Sequence, residues 1–69
     1  MRATTLVARL KRLGCIEIRQ RGSHKIVRCG DCQTVIPMHR GDLKPGTLRN
    51  IVKHLSPCLG EGRFEREEA

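Results

Sequence analysis

A chain of 69 residues whose only aromatic is Phe64 has room for one small domain with an aliphatic core. Without Trp or Tyr it has no platforms for base stacking, which excludes RRM-type and single-strand OB-fold recognition. The net charge of +7 rises to +9 over residues 1–60, because four of the seven acidic residues lie beyond Gly60, and points to a polyanion, with nucleic acid ahead of membrane.

Leu6, Val7, Leu10 and Leu13 recur at helical spacing, with Arg9, Lys11 and Arg12 on the other side. The pattern predicts an amphipathic helix over roughly residues 4–13, capped by Thr4 or Thr5 and stopped at Gly14. The period then changes to two. Ile16 and Ile18 alternate with Glu17, Arg19 and Arg21, predicting a strand with one apolar and one charged face. Gln20-Arg21-Gly22-Ser23 turns the chain into a second strand, His24 to Cys29. Gly30-Asp31 is a two-residue hairpin signal, and Cys32 to Met38 returns as a third strand, which Pro37 marks as ending or lying at an edge.

His39 to Gly46 reads as a polar loop. Thr47 then caps a second helix whose Leu48, Ile51, Val52 and Leu55 share one face, with Ser56-Pro57 as its end. Residues 1–59 are expected to form the domain and residues 60–69 a mobile acidic tail. The expected class is α+β, in the order α-β-β-β-α, with two helices on one face of a three-stranded antiparallel sheet. No apolar run approaches the roughly 18–20 residues of a membrane span, and Met1 to Leu6 lacks a signal-peptide core. A cytoplasmic location follows as an expectation, with Cys15, Cys29, Cys32 and Cys58 reduced by default.

Gly22-Ser23-His24-Lys25 is the most chemically suggestive stretch. Glycine permits a tight turn, and the histidine at the strand mouth stands among Arg19, Arg21, Lys25 and Arg28. The Gly22-Ser23-His24 turn, the Val35-Ile36-Pro37-Met38-His39 strand end and Leu43-Lys44-Pro45-Gly46-Thr47-Leu48-Arg49-Asn50-Ile51-Val52 together resemble the HicA toxin family over roughly residues 4–57. The resemblance implies a double-stranded-RNA-binding-domain-like fold and metal-independent, cofactor-free mRNA cleavage that depends on His24. It also implies neutralisation by a HicB antitoxin. The chain departs from the commonest family pattern at the Cys29-Gly30-Asp31-Cys32 hairpin and in its acidic tail. Ile26 and Val27 follow the histidine where many relatives carry an aromatic.

Metal-free RNA cleavage needs a base for the 2′-OH, an acid for the leaving 5′-oxygen and cations on the phosphate. His24 suits either proton-transfer role. His39 is the candidate for the other. Pairing Cys29 with Cys32 sets His24 opposite Pro37, one diagonal step of roughly 7–8 Å from His39. The candidate RNA contacts are Arg19, Arg21, Ser23, Lys25 and Arg28 around the histidine, and Lys44, Arg49 and Lys53 around the second helix. His54, near the end of that helix, reads as a partner of the helix dipole.

The cysteines carry the rival reading. Cys29-x-x-Cys32 has the spacing of half a zinc site, which Cys15, Cys58, His24 or His39 would complete. A Cys29–Cys32 disulfide across the hairpin is the other possibility, with α-carbons about 5.5 Å apart. The alternative function is accordingly a non-catalytic RNA-binding or zinc-knuckle adaptor module.

Overall fold

A computed structural model describes residues 1–60; the expected acidic tail lies almost wholly outside the described residues. The elements run α1 (Ala3–Arg12), β1 (Ile16–Arg21), β2 (His24–Cys29), β3 (Cys32–Pro37) and α2 (Pro45–Leu59). The strands form an antiparallel meander in the order β1-β2-β3. This is the expected α+β, α-β-β-β-α architecture.

The core is aliphatic, as the composition requires. Leu6 and Leu10 from α1, Val27 from β2, Ile36 from β3, and Ile51 and Leu55 from α2 are all essentially excluded from solvent. Each such side chain contributes about 1.5–3 kcal/mol of burial free energy. Val27, Thr34 and Ile36 point toward this core, while their strand neighbours Ile26, Val35 and Arg28 point to the opposite, uncovered face.

The ends of both helices differ from the sequence expectation. Ala3 joins the buried stripe of Leu6, Val7 and Leu10, so α1 starts earlier and Arg2, not Thr4 or Thr5, is its cap. In α2, Pro45 occupies the first turn, where its missing N–H costs nothing, and Lys44 rather than Thr47 precedes it. Ser56-Pro57 does not end α2. Ser56 Oγ donates back to the Val52 carbonyl at 2.6 Å, and the Gly60 N–H closes on the Ser56 carbonyl.

The largest correction concerns β1. Its register shifts between Glu17 and Arg19, so Ile18 is the extra residue of a bulge. Glu17 pairs with Val27 and faces the helix-covered side, whereas Ile16 and Ile18 are 54% and 39% exposed. The reason is electrostatic. Lys11 from α1 and Lys25 from β2 both form ion pairs with Glu17, the latter at 2.6 Å.

The reduced state expected for the cysteines is not the state found. Cys15 is bonded to Cys29, and Cys32 to Cys58. Cys29 and Cys32 are register partners as expected, yet each bonds to a residue of another segment. Cys15 lies in the short link between α1 and β1, and Cys58 rides on the last turn of α2, so both reach the hairpin from elements packed beside it.

Candidate active site and nucleic-acid interface

Two two-residue turns fix the sheet register. Gly22 takes φ +57 between β1 and β2, a left-handed conformation that glycine adopts without strain, and Gln20 Nε2 braces this turn by donating to the Gly22 carbonyl at 2.9 Å. Gly30 takes φ +62 as the first residue of the β2–β3 turn. The resulting ladder pairs Cys29 with Cys32 at one end and His24 with Pro37 at the other.

Pairing extends one step past β3, where the Met38 N–H donates to the Ser23 carbonyl. His39 therefore follows Pro37 on the same side as His24. The two rings meet edge to face, with centroids 6.3 Å apart and planes at 80°. Both residues are exposed. The loop carrying His39 is tied to the start of the chain: the Leu43 N–H donates to the Met1 carbonyl at 2.8 Å, and Arg2 bridges to Asp42. Between them lies a cleft of about 230 Å³ lined by Arg2, Ala3, Thr4, Met38, His39, Arg40 and Gly41.

The sheet divides the basic candidates. Arg21 pairs with His24, Arg19 with Ile26 and Arg28 with Ile16, so all three arginines share the open face with His24. They surround an uncovered apolar band of Ile16, Ile26 and Val35. Lys25 does not join them. It lies on the other face, opposite Ile36, with its ammonium on Glu17. Lys11 first and Lys25 second hold the Glu17 carboxyl down to about 2, from an ordinary value of 4.5. Ser23 is half-buried in the turn immediately before His24. Lys44, Arg49 and Lys53 are exposed at and along α2, with Arg49 and Lys53 one turn apart.

His54 lies before the last turn of α2, which runs on to Leu59. Its Nδ1 is hydrogen-bonded at 3.0 Å to Oγ1 of Thr34, the buried polar side chain of β3, and so pins α2 to the sheet. Arg2 and Arg40, which line the cleft beside His39, were not among the sequence candidates. Arg40 was visible as His39's neighbour in the chain, but the return of Arg2 to Asp42 leaves no local sequence signal. With the cysteines paired in disulfides, no group of three or more His, Cys, Asp or Glu side chains among the described residues is set to hold a metal ion. Among the same residues, no helix is long and apolar enough to cross a membrane.

Residues 3–56 match the family model described as the HicA toxin of bacterial toxin–antitoxin systems. Comparison with curated proteins and with solved structures returned no match.

Proposed function

The chain belongs to the HicA toxin family of bacterial toxin–antitoxin systems, and from that premise we propose that it is a metal-independent endoribonuclease acting on mRNA in the cytoplasm, with His24 as its catalytic residue and His39 as the second acid–base group. The observation that carries this reading is the pairing of the two imidazoles at 6.3 Å on an open, arginine-rich face. A phosphodiester between the rings has one imidazole on each side. The neutral ring takes the proton of the 2′-OH, and the 2′-oxygen forms a bond to phosphorus. The protonated ring gives its proton to the departing 5′-oxygen as the P–O5′ bond breaks. The products are a 2′,3′-cyclic phosphate and a 5′-OH end. Arg19, Arg21 and Arg28 offset the phosphate charge on the same face, and the basic ridge of Lys44, Arg49 and Lys53 holds more distant backbone.

The partner in this reading is a HicB-like antitoxin that covers the His24 face. The apolar band of Ile16, Ile26 and Val35, rimmed by arginines, suits a partner surface that joins apolar contacts to acidic side chains. Incubating the purified chain with RNA and mapping the new termini tests the activity. Cyclic phosphate and 5′-OH ends are expected; intact RNA, or 5′-phosphate ends, would contradict the reading.

A further inference from the structure

The end of the molecule opposite the histidines gathers all four cysteines from four separate segments: the α1–β1 link, β2, β3 and α2. Cys29 and Cys32 flank the Gly30-Asp31 turn as register partners. The α-carbons are 4.3 Å apart in the Cys15–Cys29 pair and 6.0 Å in the Cys32–Cys58 pair. The two pairs are neighbours. Cys15, Cys29 and Cys58 line one cavity of about 210 Å³ together with Gly30, and a Cβ placed on Gly30 would lie 3.9 Å from Cys58 Sγ. The histidine end has no part in this cluster, being separated from it by the length of β2, about 17 Å.

We propose that this cluster is a tetrathiolate site for Zn²⁺ when the cysteines are reduced, with Cys15, Cys29, Cys32 and Cys58 as its four ligands. Disulfides do not persist in a reducing compartment, and reduction would leave three thiols, those of Cys15, Cys29 and Cys58, lining one small pocket and the fourth, that of Cys32, on the register partner of Cys29; Cys15 and Cys29 are almost wholly buried. Four cysteine sulfurs are the donor set of a closed, tetrahedral structural zinc site, and Cys29-x-x-Cys32 across a tight turn supplies the usual paired half. The strand order and the helix contacts need no exchange, because the two disulfides and the Cys29–Cys32 register pair already bring the four segments together.

The chemistry balances in two steps. Each disulfide takes two electrons and two protons from a dithiol reductant, which is oxidised to its own disulfide. The four thiols then release four protons on binding one Zn²⁺. The site is structural, holding α2 and the α1–β1 link to the hairpin in place of the two covalent bonds. It stands whether or not His24 cleaves RNA.

The test uses the full chain, reduced with a phosphine and freed of metal, then given Zn²⁺ or Co²⁺ and passed through gel filtration. One zinc per chain is expected, and the cobalt form should show thiolate-to-metal charge transfer with the intense visible bands of tetrahedral sulfur ligation. Cys58→Ser, at an exposed position, should weaken zinc binding about 100-fold or more, since loss even of an outer partner costs 10–100-fold. His24→Ala should bind as the wild type does. Failure of the reduced wild-type chain to retain zinc would overturn the proposal, and so would retention unaffected by Cys58→Ser.

Discussion

His24 and His39 stand edge to face with ring centroids 6.3 Å apart, although 15 positions separate them in the sequence. The hairpin register produces this: His24 opposes Pro37, and the Met38 N–H to Ser23 carbonyl bond carries the pairing one step further. On the proposed reading the two imidazoles act as base and acid on one phosphodiester. His39→Gln should lower the single-turnover cleavage rate by about 100-fold or more while leaving RNA binding intact. Cleavage at the wild-type rate in this variant would show that His39 takes no part in proton transfer.

On the proposed reading, the open face sets which cations meet RNA. Arg19, Arg21 and Arg28 share it with His24, whereas Lys25 points away to Glu17. Replacing the three arginines by alanine should weaken RNA binding and flatten its salt dependence, by about 0.7 in slope for each phosphate no longer neutralised. Lys25→Ala should leave the slope nearly unchanged. Fluorescence anisotropy over a range of salt concentrations distinguishes the two sets, and an unchanged slope in the arginine variant would place the RNA elsewhere.

Glu17 links α1 to the sheet through Lys11 and Lys25, and its carboxyl is held at about 2 rather than 4.5. A carboxylate whose folded value lies below its unfolded one stabilises the fold above about pH 4.5 and loses that contribution as pH falls toward about 2. Denaturant unfolding of wild type and Glu17→Gln should therefore differ at about pH 6 and converge near pH 2. A constant difference across that window would show that the ion pairs do not carry the effect.

On the proposed reading, the antitoxin occludes the same open face. A HicB-like partner should protect Arg21, His24 and Arg28 on binding, with an on-rate that falls as salt rises and an off-rate governed by Ile16, Ile26 and Val35. Val35→Asp should accelerate dissociation without disturbing the core, because Val35 is 46% exposed. A complex that leaves His24 exposed and RNA cleavage intact would rule out inhibition by occlusion.

Much of this was legible in the chain because its signals are local. The Gly22-Ser23 and Gly30-Asp31 turns fix the hairpin register, and from that register alone His24 falls near His39. The stripes of α1 and α2 likewise name Leu6, Leu10, Ile51 and Leu55 as core. What could not be read depends on contacts between distant segments. Alternation assigned Ile16 and Ile18 to the core, but two lysines from other elements draw Glu17 inward and a bulge absorbs the slip. The partners of Cys29 and Cys32 lie on segments that only the packing of α1 and α2 brings to the hairpin. His54 reads as a partner of the helix dipole, since nothing near it in sequence reveals its hydrogen bond to Thr34.

The most direct measurement is single-turnover cleavage of a defined RNA by wild type and by His24→Ala under metal-free, non-reducing conditions, where the disulfides keep the fold independent of any zinc. His24 is exposed at a strand mouth, so the variant should fold and still bind RNA while its cleavage rate falls by at least about 100-fold. A folded His24→Ala protein that cleaves at the wild-type rate would contradict the assignment of catalysis to this histidine.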